Sequence, residues 1–252
     1  QTGGVNTFIG YHAGRNNRAG TYNTTVGFEA GMHATASSNS FFGYQAGKGG
    51  TTSAPYSSGG SNTAVGYSAL KAFTTGGANN AFGYGAGLSI TSGARNVAVG
   101  NNSLDALTTG TNNVAVGVSA LTTADGNERE NIAIGYYAGG LINNDSAIRN
   151  VFVGEYAGYG GTGALNSSVA IGYQALSSTD TNGLSGTIAI GYQAGKSITS
   201  GQYNTIMGYN AGKGITTSDK STIIGYEAVI SSSANNDLVV VGYKAGYNLN
   251  GD

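Results

Sequence analysis

Asn96-Val97-Ala98-Val99-Gly100 and, seventeen residues on, Asn113-Val114-Ala115-Val116-Gly117 are two copies of one phrase. Its variants recur along the chain, each ending in a glycine: Gly10, Gly27, Gly43, Gly66, Gly83, Gly100, Gly117, Gly135, Gly154, Gly172, Gly191, Gly208, Gly225 and Gly242. The spacings run from 16 to 19 residues, with a single interval of 23 between Gly43 and Gly66. A period carried from end to end means one supersecondary unit stacked many times. The 252 residues therefore read as one repeat domain, 1–252, with no room for a second kind of domain.

With the glycine as position zero, the columns assign themselves. Position −1 is apolar in every copy, from Ile9 through Val99 and Ile134 to Val241. Side chains of a strand alternate between faces, so −1 lies on one side and −2 on the other. We expect the −1 column to be the core, with Val99, Val116, Ile134, Ile171 and Ile190 stacked in it. Position −2 is apolar too: Ala in seven copies, Phe, Ile or Val in six, and Thr25 once. A strand apolar on both faces is buried on both, so the small Ala/Gly face is expected to meet a second chain.

Position −4 is Asn in ten copies, a residue suited to turns and to stacking as an amide ladder. Position +3 is Ala in all copies but one, and position +4 is Gly or Leu in all but one. Polar turns such as Thr74-Thr75-Gly76 fill the rest. About 17 residues suit two short strands and two turns, whereas a helical repeat would need the alanine, leucine and charge that are scarce here. The fold class expected is all-β: a parallel β-solenoid of about 14 coils, stacked about 4.8 Å apart into a rod on the order of 65 Å long. The main insertion is Lys48 to Ser61.

Composition excludes whole classes. Glycine is abundant at 45 residues, but no triplet period and a single proline rule out collagen. Charged residues make up 9%, with 11 basic against 12 acidic, which offers no footprint for nucleic acid or a polybasic membrane anchor. Without cysteine there is no disulfide or thiolate chemistry. No apolar run approaches a membrane span. The chain opens at Gln1 without a signal-like segment, which reads as a mature or excised form and leans towards an extracellular setting.

The phrases Asn96 to Gly100, Asn113 to Gly117, Asn131-Ile132-Ala133-Ile134-Gly135 and Ser168-Val169-Ala170-Ile171-Gly172 resemble the head repeats of YadA-like trimeric autotransporter adhesins. The longer forms, Asn62-Thr63-Ala64-Val65-Gly66-Tyr67-Ser68-Ala69-Leu70 and Asn204 to Gly212, look more like repeats of phage tail-fibre-like surface proteins. The period is longer than the adhesin repeat, and no chaperone-like segment is present. What the resemblance implies is a left-handed β-roll assembled as a parallel homotrimer. Such a head or fibre is extracellular, on a cell surface or a virion or injection apparatus, and binds a cell-surface glycan or protein receptor. Receptor specificity does not transfer on these motifs.

Ten tyrosines follow the glycine, and their regularity reads as stacking rather than as a site. His12 and His33 have no metal-ligand spacing and read as surface residues, so no metal or cofactor is expected. The acids are scattered, so a glycosidase-like pair, and with it a polysaccharide-acting enzyme, stands as a rival reading beside a purely structural spacer rod. A specific ligand needs a local, non-repeating surface. The receptor contacts are therefore expected on the insertions, at Tyr56, Ser57, Ser58, Asn143, Asn144, Asp145 and Arg149. The function expected is non-enzymatic attachment.

Overall fold

The computed structural model describes residues 3–143, 145, 147–160, 165–178, 183–232 and 236–249. It is a parallel β-solenoid, with no helix among the described residues. The chain divides into two compact units, Gln1–Arg129 and Glu130–Asp252. In the first, seven three-residue strands pair in chain order: β1 Thr7–Ile9, β2 Thr24–Val26, β3 Ser40–Phe42, β4 Thr63–Val65, β5 Asn80–Phe82, β6 Val97–Val99 and β7 Val114–Val116. The second holds β8 Ile132–Ile134, β9 Val151–Val153, β10 Leu165–Asn166, β11 Val169–Ile171, β12 Leu184–Ser185, β13 Ile188–Ile190, β14 Thr205–Met207, β15 Gly214–Ile215, β16 Thr222–Ile224, β17 Ser231–Ser232 and β18 Val239–Val241. Here β8, β9, β11, β13, β14, β16 and β18 form the long parallel ladder, with β10·β12 and β15·β17 as two small parallel pairs beside it.

Pairing is in register, position for position, so each column of the repeat becomes a file of stacked side chains, as with Val97↔Val114, Ala98↔Ala115 and Val99↔Val116. The files stack as expected but the sides are reversed. The −2 file is the interior: Phe41, Ala64, Ala115, Ala133, Phe152, Ala170, Ile206 and Ile223 are all at 0% exposure. The −1 file points outward, with Ile9, Phe42, Phe82, Ile134, Ile171, Met207 and Val241 all exposed. The interior is filled by the −2 and +4 side chains together, Phe41 in one coil and Ala64 with Leu70 in the next, and strand alternation then turns the −1 side chains outward. The second strand of each coil is also mostly absent. Backbone bonds between successive turns, such as Thr74 N to Thr91 O at 2.8 Å and Thr91 N to Thr108 O at 2.9 Å, replace it outside the two small pairs.

In several coils the −2 and +4 positions trade volume. Where −2 is Phe, as at Phe8, Phe41 and Phe152, position +4 is Gly14, Gly47 or Gly158, and a Cβ there would strike the ring. Where +4 is Leu70, Leu104, Leu121 or Leu176, position −2 is Ala64, Ala98, Ala115 or Ala170, and these leucines are at most 1% exposed. Position +4 is a left-handed corner, which the leucines occupy at φ 49–52°, so burial outweighs the local backbone cost. At the repeat glycine itself no side chain fits. Gly83 has φ +136°, and a Cβ would lie 2.6 Å from the Gly100 carbonyl oxygen of the next coil.

The asparagine file closes each turn. Asn96 N donates to Asn79 Oδ1 at 3.0 Å, and Asn96 Nδ2 donates to Gly110 O at 2.9 Å. Asn96 Oδ1 in turn accepts from Asn113 N at 3.0 Å. These side chains are about as buried as any in the chain, Asn96 at 1%, and burial is tolerable because each polar atom is paired.

Candidate functional site

Because the ladder is in register, the outward face repeats the same side chains about 4.8 Å apart. It carries the −1 file and, at +1, a file of aromatic rings. In the first unit Tyr11, Phe28, Tyr44, Tyr67 and Tyr84 stack face to face, with centroids 4.9–5.2 Å apart and planes within 17°. In the second, Tyr173, Tyr192, Tyr209, Tyr226 and Tyr243 do the same at 4.9–5.5 Å. Asn101 and Val118 replace the ring in the first unit and Glu155 in the second. Near Glu155 the stack breaks into edge contacts, Tyr136 meeting Tyr156 at 87°. Each unit thus exposes an extended apolar sheet face, the kind of patch that soluble monomers seldom show.

The insertion Lys48 to Ser61 builds the one non-repeating corner of the first unit. Tyr56 is half-buried and lies parallel to the His33 ring, centroids 5.8 Å apart. His33 is not a surface residue: it is 4% exposed. Asn16 Nδ2 sits 2.7 Å from its Nδ1; an amide nitrogen only donates, so this ring nitrogen accepts. Burial, with Lys48 and Arg15 nearby, holds the imidazole pKa below its ordinary value. Ser57, 1% exposed, spends its hydroxyl on the Phe73 carbonyl at 2.8 Å and its own carbonyl on Thr35. It therefore braces the corner rather than faces a ligand. Ser58 is exposed and its N–H donates to Thr74 O.

Beside this corner a cleft of about 420 Å³ is lined by Lys48, Gly50, Thr52, Lys71 and Leu88. Lys48 pairs with Glu29 at 2.8 Å, and this bond is the main reason the Glu29 carboxyl titrates below its ordinary range.

In the second unit Asn143 and Asp145 are exposed, and Asn144 lies outside the described residues. Arg149 is exposed, and its Nε donates to Glu130 Oε2 at 2.9 Å in an open ion pair, a contact of little energetic weight. The structure thus sets Tyr56 against His33 and Arg149 against Glu130, one pair in each unit, and leaves Ser58 bonded to Thr74 instead. Sequence reasoning missed His33 and Asn16 because nothing in their spacing marks them; only the insertion folded over them buries the ring.

No cluster of three His, Cys, Asp or Glu side chains able to hold a metal occurs among the described residues. Among the described residues no helix is long and apolar enough to cross a membrane. Comparison with protein-family models, with curated proteins and with solved structures finds no match.

Proposed function

We propose that the chain is the head or shaft of an extracellular attachment fibre: a left-handed coil that assembles as a parallel homotrimer and binds a cell-surface receptor without catalysing a reaction. The observation that carries the reading is the outward −1 file, apolar in every coil yet 36% exposed at Val65, 41% at Ile134 and 63% at Val241. Covering each such side chain is worth on the order of 1 kcal/mol, and the sum over one face favours association. A partner with the same repeat matches the face in period, and three parallel copies close around an axis without leaving an edge. The copies would meet through the −3, −1 and +1 files rather than the Ala file, which is interior. Attachment would fall to the non-repeating corners, with Tyr56 and Ser58 in one unit and Asn143, Asp145 and Arg149 in the other.

Light scattering on the purified chain tests the assembly. The expected mass is three times the 25.1 kDa of one chain; Phe82→Asp, on the exposed file, should give monomers of unchanged secondary structure. A monomeric wild type at micromolar concentration would reject the assembly. Cell-attachment assays test the second half, since a spacer rod would bind no cells.

A further inference from the structure

Asn210, at position +2 in the second unit, is 9% exposed, and its Oδ1 has no hydrogen-bond partner. The same column shows what is missing. One coil earlier, Gln193 Nε2 donates to Gln174 Oε1 at 2.8 Å, but the residue after Asn210 in the column is Glu227, whose carboxylate has no proton to donate, so the Asn210 acceptor stays unpaired. Natural structures rarely leave such a group without a partner, and one beside a cavity points to a ligand. Asn210 lines a cleft of about 370 Å³ with Ser197, Lys213, Glu227, Ile230 and Tyr247, a volume within the usual range for small-molecule sites.

We infer that this cleft is a subsite for a neutral saccharide. The lining carries one cation, Lys213, and one anion, Glu227, whose charge Lys244 offsets at 3.4 Å, so no cluster of like charges faces a ligand. A purely apolar ligand would leave Asn210 Oδ1 unsatisfied. Sugar hydroxyls both donate and accept: they can donate to Asn210 Oδ1 and the Glu227 carboxylate, and accept from Lys213 and Ser197. The C–H face of the ring then lies on Ile230 and on Tyr247, which is 41% exposed. Two contacts hold the wall in place. Glu227 pairs with Lys244 at 3.4 Å, and the Lys244 ammonium stands 5.5 Å from the Tyr247 ring centroid. The inference deepens the receptor-binding reading and rests on it for its biological meaning.

Saturation-transfer NMR and calorimetry on the full chain, with methyl glycosides of glucose, galactose, mannose and N-acetylglucosamine at millimolar concentration, test it. At least one is expected to bind through its C–H protons. Asn210→Leu and Tyr247→Ala should weaken it about tenfold or more, with circular dichroism unchanged and Ser92→Ala, on an exposed turn of the first unit, without effect. Should either variant misfold, Asn210→Gln serves instead: its longer amide should donate to Gln193 as Gln193 does to Gln174, drawing the group out of the cleft and lowering affinity. No binding by any of the four glycosides, or equal binding by these variants, overturns the inference. Cell attachment that persists in Asn210→Leu while no glycoside binds sinks this cleft alone; glycoside binding without any cell attachment by the wild type sinks the attachment reading and leaves the cleft.

Discussion

The two units close the same turn with different side chains. In the first, asparagine occupies position −4 from Asn6 to Asn113, and every step has the backbone N–H of one Asn donating to the amide oxygen of the previous one at 2.8–3.0 Å. In the second, the file passes through Ser168, Thr187 and Ser221, and two hydroxyl steps stretch: Thr187 N to Ser168 Oγ is 3.4 Å and Asn204 N to Thr187 Oγ1 is 3.5 Å. The two extra strand pairs, β10·β12 and β15·β17, lie in this unit, whereas the first has the single bridge Ala34↔Ser57 among its described residues. A hydroxyl has one donor and a shorter reach than an amide, so it cannot both accept from the next coil and cap a distant carbonyl.

The interior is the control for this contrast, because both units fill it the same way, with Phe41 against Gly47 in one and Phe152 against Gly158 in the other. Phe41→Ala should cost about 3–5 kcal/mol by emptying a coil. Gly47→Leu alone should also destabilise, since a Cβ at Gly47 already meets the ring. Combined, the two changes recreate the Ala64 and Leu70 arrangement of the next coil, and at least half of the loss should return. Denaturant midpoints of the four proteins decide it, and simple additivity would refute the volume exchange.

Next in size is the ladder. Asn96→Ala removes an acceptor for Asn113 N and the donor to Gly110 O, leaving buried groups unpaired, at about 3 kcal/mol. Thr187→Ala, at a 3.5 Å contact, should cost about 1 kcal/mol or less. Comparable losses would show that the two files are equivalent and the contrast accidental. The reverse graft sharpens the point: Thr187→Asn should stabilise the second unit by roughly 0.5–1 kcal/mol, read as slower amide exchange over 165–190.

Much of this was legible in the residues. The period, the in-register files and the structural role of the asparagines follow from column composition alone. Which face is inside did not follow, because alternation sorts Ala98 from Val99 but hydrophobicity gives both the same answer. The pairing of Phe41 with Gly47, against Ala64 with Leu70, held that information, because two columns that trade volume share one interior. The two-strand coil failed for a related reason: Thr-rich turns bond coil to coil without adopting strand geometry. The candidate sites were only partly visible. Tyr56 and Arg149 stand out by breaking the period, but Ser57 looks equally irregular and proves to be a brace. The unpaired oxygen at Asn210 arises because Glu227, the next residue in its column, has no proton to donate, and nothing in the period marks it.

The smallest expected effect separates the units by pH. Both histidines lie in the first unit, and His33 is held below its ordinary pKa of 6.5 chiefly by burial. Its proton therefore binds more tightly to the unfolded chain than to the folded one. The contribution is fully present above pH 6.5 and is lost progressively as the pH falls through the lower, folded value. Glu29 acts in the same direction in a lower window: its depressed pKa, set mainly by the hydrogen bond from Lys48, adds stability above its ordinary value of 4.5 that is lost as acid protonates it. Amides of the corner, such as Thr35 N bonded to Ser57 O, should lose exchange protection between pH 7.5 and 5.5, while those over 188–224 keep theirs. His33→Gln should abolish the difference, because a neutral amide does not titrate. Equal loss in both units, or loss that survives His33→Gln, would place the acid sensitivity outside this ring.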